Sequence, residues 1–181
     1  GKHNILNSVA AISVCLSLGI DIKIIKKALI KFTGVQRRMT KVFTKNQNDF
    51  YDDYAHHPTE IKSILESVKN AHKERKIISI FEPHRYSRVL SLKDKFSKSF
   101  LNSDLVLLCP LYAAGEKKSH KFDKINFAKH ISKYSKTQVI IINNFDELGN
   151  FLKSFLNSNE IIIGMGAGSI SKWMSELKLV V

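Results

Sequence analysis

Two short runs concentrate the residue types that handle anionic substrates. The first, Tyr51-Asp52-Asp53-Tyr54-Ala55-His56-His57-Pro58-Thr59-Glu60, puts two acids at the end of a β-rich run, two histidines in the turn, then Pro58 and Glu60 at a helix start. Proline suits the first helical position and an acid the first turn, where unpaired N–H groups carry partial positive charge. Asp53 can accept hydrogen bonds from a ribose diol. His56 or His57 can contact a transferring group or a substrate carboxylate. Zinc fits poorly, because adjacent histidines point apart and no third ligand lies at a recognised local spacing. The second run, Phe81-Glu82-Pro83-His84-Arg85-Tyr86-Ser87-Arg88, follows a buried apolar stretch. Arg85 and Arg88 lie three apart at the opening of the next helix. Two guanidinium groups over a helix start form a clamp for a carboxylate or phosphate, although an exposed basic turn has the same composition.

Three further groups carry chemistry. Gly1-Lys2-His3-Asn4-Ile5-Leu6-Asn7 opens an apolar-periodic run, and Asn4 and Asn7 share one helix face. Two amides on one face can read a purine edge; Asn4 would serve equally as a helix cap. Gly34-Val35-Gln36-Arg37-Arg38 lies where the periodicity changes. An arginine pair there can hold a phosphate as two domains close, or can be plain exposed surface. Gly164-Met165-Gly166-Ala167-Gly168-Ser169 has the look of a dinucleotide fingerprint, but a further strand and an acid about 20 positions on are required. Only 13 residues follow Gly168. A tight strand-to-helix turn is the better reading.

These groups need a scaffold, and the hydrophobic pattern supplies one. Apolar residues recur at helical spacing over 4–18 and stop at Gly19; a second helix over 21–31 has Ile24, Ile25, Ala28 and Leu29 on its inner face. Gly34 is a hinge, which divides the chain into 1–34 and 35–181. Beyond it, strands at 41–45, 49–54, 76–81, 104–109, 138–142 and 160–164 alternate with helices over 58–72, 89–101, 123–134, 145–157 and 167–178. Four strands (IISIF, LVLLC, VIII, EIIIG) are continuously apolar, as in a parallel sheet covered on both faces. The expected fold is α/β, a Rossmann-like, doubly wound, mostly parallel sheet. Ligands bind such sheets outside the carboxyl ends of the strands. That rule places Asp53–His57, Pro83–Arg88, Pro110–Gly115 and Gly164–Gly168 along one edge.

Composition narrows the partners. The 181 residues are 44% hydrophobic, enough for a packed core, and carry a formal net charge of +13. Only five of the 29 basic residues are arginine, and four of those five form the pairs Arg37/Arg38 and Arg85/Arg88. The lysines are scattered over predicted helix faces, as solvated surface is. No aromatic–basic stacking strand or recognition helix accompanies the charge, which argues against nucleic acid. An assembly scaffold without chemistry is the remaining alternative. No apolar run approaches the ~18 residues that span a bilayer, so no membrane is expected. Cys15 and Cys109 read as buried thiols. Gly1 in place of an initiator Met leads us to expect a processed chain or a fragment.

Taken together, the motifs resemble the Mur ligase family from residue 1 to about 170. GKHNILNSVAA resembles the family's G-x-x-N-x-x-N-x-x-A-A helix, near the end of its central ATPase domain. FTGVQRR resembles the junction into its C-terminal domain. DDYAHHPTEI and FEPHRYSR are similar to segments of the L-alanine-adding member. A tripeptide-adding recycling member shares the DD-aromatic-AHHP pattern but differs after the Glu-Pro, while Glu82 in place of the more usual Gln leans towards it. The resemblance implies ATP-dependent joining of L-alanine to UDP-N-acetylmuramate through an acyl phosphate, with Mg2+, in the cytoplasm, alongside the protein's own N-terminal and central domains. It implies that His3, Asn4, Asn7, Arg38 and Asp53 bind ATP, Asn4 and Asn7 reading adenine, Arg38 the phosphates and Asp53 the ribose. His56, Arg85 and Arg88 would line the amino-acid site. The family's phosphate loop, G-T-x-G-K-[ST], occurs nowhere in these residues. The expectation is a chain that folds largely by itself and does not turn over.

Overall fold

The computed structural model describes residues 2–181, with side chains from Asn4 onward, and divides into two compact units, Gly1–Val35 and Gln36–Val181. In the first unit, helices α1 (Lys2–Ser17) and α2 (Ile22–Lys31) are joined by a tight turn. Gly19, at φ +75°, lets its N–H reach the Leu16 carbonyl while the Ile20 N–H reaches Cys15. That paired closure needs a left-handed residue, and glycine adopts it without a Cβ clash. Asp21 caps α2 by accepting from the Lys23 N–H at 2.6 Å. Of the expected inner face of α2, only Ile25 is buried; Ile24 is 62% exposed and Leu29 37%. Two short helices share one narrow seam, too small to cover a full apolar stripe.

The second unit is a six-stranded sheet in the order β1-β2-β6-β3-β4-β5. Strands β1 (Thr40–Lys45) and β2 (Asn48–Asp53) form an antiparallel hairpin. Its two-residue turn, Asn46-Gln47, has positive φ at both positions, the twist that suits a tight hairpin. All other neighbours are parallel: β3 (Ile77–Phe81), β4 (Leu105–Leu108), β5 (Gln138–Ile141) and β6 (Ile161–Met165). Central strands β3 and β6 are buried along their whole length, which is why they read as unbroken apolar runs. Alternate residues of β3 face opposite sides. Ile77 and Phe81 join α3 (Pro58–Ala71), α4 (Tyr86–Ser91), α5 (Lys93–Ser97) and α6 (Lys124–Ser135) in one core; Ile78 and Ile80 join α7 (Phe145–Phe155) and α8 (Ile170–Glu176) in another. Each such isoleucine contributes roughly 1.5–3 kcal/mol by leaving water. The sheet is doubly wound and mostly parallel, as the pattern predicts.

One element differs from expectation. The helix expected over 89–101 is two helices, α4 and α5, because Leu92 (φ −115°, ψ 17°) leaves the helical region. Helix α4 begins at Tyr86, so Arg88 lies inside it. Parallel registry aligns Asp53 with Met165, Met165 with Phe81, and Phe81 with Leu108. The loops that follow all leave the sheet at one level, and the chemistry gathers there. Among the described residues no helix is long and apolar enough to cross a membrane.

Candidate functional site

The loop after β3 carries the arginine pair. His84 forms a short parallel bridge with Tyr112, in the loop after β4. The Tyr112 N–H donates to Pro83 at 2.8 Å, and the Arg85 N–H donates to Tyr112 at 2.9 Å. Arg85 sits at φ +68° and ψ 128°. A residue with a Cβ is strained there by about 1–3 kcal/mol, and such strain persists only where surrounding contacts enforce it. Its side chain is 47% exposed. Arg88 Nη1 lies 3.3 Å from His84 Nδ1. Arginine can only donate, so His84 accepts at Nδ1 and carries its proton on Nε2. Burial, then the charges of Arg88, His56 and Arg85, hold the His84 pKa below its ordinary value, which agrees with a neutral ring. That ring stacks on Tyr112 at 5.5 Å and lies 5.8 Å from the ring of His56.

His56 comes from the loop after β2, and the structure separates it from its neighbour. His57 is the N-cap of α3: its Nδ1 accepts from the Thr59 N–H at 3.3 Å, while Glu60 reaches back to the His57 N–H. His57 is therefore committed to the helix start. His56 Nδ1 lies 2.8 Å from the Tyr54 carbonyl, which can only accept, so Nδ1 is protonated and Nε2 is left to act as an acceptor. Glu60 Oε2 lies 3.7 Å from the same Nδ1 and accepts from the His56 N–H. Burial alone would raise the Glu60 pKa, but the His56 and His57 N–H groups, with the charges of His56 and Arg38, hold it below the ordinary value.

The two junction arginines also part company. Arg37 is structural: it donates to the Gly166 carbonyl at 2.7 Å, lies 3.3 Å from Asp52 and covers the Tyr54 ring at 4.8 Å. Arg38 is 52% exposed and 3.6 Å from Glu60, so its guanidinium is open to an anion. Asp53 is buried. Its two oxygens accept from the Met39 N–H at 2.7 Å and the Ala55 N–H at 2.8 Å. Burial raises its pKa, against those two N–H groups and Arg38. In this conformation Asp53 pins the Arg37–Met39 turn to the end of β2, with both of its oxygens engaged.

The glycine-rich turn packs behind this edge. A Cβ on Gly168 would lie 2.4 Å from the Tyr112 ring and 2.5 Å from Glu82 Oε1, so no side chain fits. Buried Glu82 accepts from the Ser169 N–H at 3.0 Å and its hydroxyl at 2.5 Å; its Oε1 has no hydrogen-bond partner among the described residues. Asn4 and Asn7 are exposed on α1, in the other unit. The helix begins at Lys2, so Asn4 lies within its first turn rather than at its cap. The side chain of His3 lies outside the described residues. Among the described residues no group of three or more His, Cys, Asp or Glu is placed to hold a metal ion by itself.

The carboxyl edge thus brings together His56, Arg85 and Arg88, with Arg38 joined to His56 through Glu60. Three residues of the site were missed by sequence reasoning: His84, Tyr112 and Glu116. The first lay within the arginine run, Tyr112 lay within the Pro110–Gly115 segment that the edge rule places here, and Glu116 lies one residue beyond it. Glu116 also revises the idea of an arginine pair over an open helix start. Its carboxylate accepts from the Ser87 N–H at 3.0 Å and the Ser87 hydroxyl at 2.5 Å, filling the first turn of α4. The Ser87 hydroxyl and N–H, chiefly, hold its pKa below the ordinary value.

Comparison with known proteins gives a consistent set. Residues 37–168 match the family model described as Mur ligase, glutamate ligase domain. The chain is 50% identical over 177 residues to a UDP-N-acetylmuramate–L-alanine ligase of Pelagibacter ubique, covering 98% of this chain and 38% of the relative. It is 42% identical over 176 residues to the ligase of that name from Brachyspira hyodysenteriae, with 97% and 38% covered. Among solved structures, the UDP-N-acetylmuramate–alanine ligase of Thermotoga maritima aligns with a TM-score of 0.78 at 28% identity, over 99% of this chain and 37% of that one. A murein peptide ligase of Psychrobacter arcticus shares the fold, with a TM-score of 0.76 at 22% identity over 99% and 37%. The chain therefore spans well under half the length of the relatives it matches.

Proposed function

This chain belongs to the Mur ligase family, and from that premise we propose that it is the acceptor-binding C-terminal part of an ATP-dependent ligase joining L-alanine to UDP-N-acetylmuramate. One observation carries the reading: Arg85, Arg88, His56 and His84 converge where the loops leave the sheet. Mur ligases are ATP-dependent amide-bond ligases. In the reaction ATP phosphorylates the muramate carboxylate, the amine of L-alanine attacks the resulting acyl phosphate, and phosphate leaves. This chain's contribution is positioning and charge. Arg85 and Arg88 grip the alanine carboxylate, and His84 accepts from Arg88 to hold it in place. His56, its Nδ1 occupied by Tyr54, offers Nε2 to the incoming ammonium group. Arg38 meets the ATP phosphates and Asn4 and Asn7 its adenine. Asp53 serves the ribose through the turn it anchors. The exposed Ile5, Leu6, Val9 and Ile30 of the first unit are the face that the rest of the ATPase domain covers. The reaction belongs to the cytoplasm, and neither nucleic acid nor membrane is a partner.

The tripeptide-adding activity is the nearest alternative, and Glu82 was the residue that leaned towards it. Its carboxylate is buried, with one oxygen bonded to Ser169, so Glu82 alone does not decide between the two activities. The test is an acceptor comparison with the full-length ligase. We expect ligation of L-alanine and none of the tripeptide; the reverse preference would reassign the chain to the recycling activity. The isolated 181-residue chain, without a phosphate loop, is expected to show no alanine-dependent ATP hydrolysis.

A further inference from the structure

Glu116 has no part in the roles assigned so far, yet it touches the first turn of α4 from a loop 29 residues away. Arg85, the N-cap of that helix, makes no side-chain capping hydrogen bond. The Ser87 N–H and hydroxyl are satisfied instead by Glu116, whose Oε1 also faces Arg85 Nη1 at 4.0 Å. The backbone of Arg85 is strained at φ +68°, and its N–H is held by the Tyr112 carbonyl. Both restraints come from one short segment, 112–116. The loop after β4 therefore fixes the clamp from outside, by one backbone bond and one carboxylate. At 4.0 Å the Arg85–Glu116 contact is loose, and the five N–H donors of the guanidinium remain available for a ligand.

We propose that Glu116 is a positioning residue of the acceptor site, aiming Arg85 at the carboxylate of the incoming amino acid through its hold on Ser87. The inference rests on the acceptor reading given above. A competing role has the opposite sign. If Glu116 merely occupied the seat of the substrate carboxylate, its removal would open that seat and tighten acceptor binding.

The experiment uses the full-length ligase with Glu116→Ala, Glu116→Gln, Ser87→Ala and, as reference, Arg85→Ala, and measures KM and kcat for L-alanine beside KM for ATP. Misplacing a positioning group commonly costs ten-fold or more, so Glu116→Ala should raise the L-alanine KM about ten-fold and leave the ATP KM unchanged. Glu116→Gln keeps an acceptor for Ser87 but loses the charge, and should fall in between, as should Ser87→Ala. An L-alanine KM that is unchanged or lowered in the Glu116→Ala and Glu116→Gln proteins overturns the proposal. If Arg85→Ala also leaves that KM unchanged, the clamp reading itself fails and takes this one with it. If Arg85→Ala raises it while the Glu116 variants do not, only the positioning role fails.

Discussion

His56 and His57 are identical neighbours in the sequence, yet their hydrogen bonds give them opposite tautomers. His57 accepts at Nδ1 from the helix start, whereas His56 donates there to Tyr54. Sequence alone left both in view, because a cap and a substrate contact ask for the same side chain. His57→Ala should therefore cost about 0.5–2 kcal/mol of stability, the usual loss of a cap, measurable by urea unfolding, while L-alanine KM in the full-length ligase stays near wild type. His84 makes a pH prediction. Its folded pKa lies below the ordinary 6.5, so the neutral ring is the form the fold favours. That contribution is fully present above 6.5 and is lost as pH falls through the lower folded value. Protonation would also set a cation against Arg88. The L-alanine KM should rise on the acid side of 6.5, and His84→Asn, which keeps an acceptor without the titration, should flatten that limb. The arginine pairs were legible because their types and spacing are local. Glu116 and Tyr112 were not, since their meaning depends on a contact across 29 residues.

At the level of elements, the continuous apolar strands and the order of strand and helix were legible, because period and burial are written into neighbouring residues. The break at Leu92 was not: α4 and α5 carry enough apolar residues to mimic one helix, and a change of φ and ψ at a single leucine leaves no compositional mark. The opposite edge of the sheet holds a device that sequence reading passed over. Arg75 bonds Asp49 at 2.7 Å and the Gln47, Asn159 and Glu160 carbonyls at 3.1, 3.1 and 2.8 Å, tying the β1–β2 turn to the start of β6. Burial would raise the Asp49 pKa, but its bonds from Lys41, Arg75 and Thr44 hold it well below the ordinary carboxylate range. Arg75→Ala removes the charged bond to Asp49 and three bonds to carbonyls, and should cost about 3 kcal/mol in urea unfolding. Arg75→Lys, which cannot fork, should recover only part of that loss. A carboxylate with a depressed pKa stabilises above its unfolded value, so this contribution should fade as pH drops below 3.8.

For the whole molecule, the two units differ in what they bury. The second carries two packed cores, one on each face of its sheet, whereas the first leaves Ile5, Leu6, Val9, Ile24 and Ile30 more than half exposed. A polypeptide of residues 36–181 should unfold cooperatively by itself. It should also bind less of a hydrophobic dye than the 181-residue chain; equal binding would mean that the apolar faces of α1 and α2 are covered in solution. The central claim is that the sheet's carboxyl edge receives the amino-acid acceptor. It is tested most directly by comparing all three substrate KM values of the full-length ligase with those of its Arg88→Ala variant. Losing a charged hydrogen bond worth about 1.5–3 kcal/mol corresponds to roughly a ten- to hundred-fold rise in the L-alanine KM, with ATP and UDP-N-acetylmuramate unaffected. An unchanged L-alanine KM, or a rise confined to ATP or UDP-N-acetylmuramate, would contradict the account.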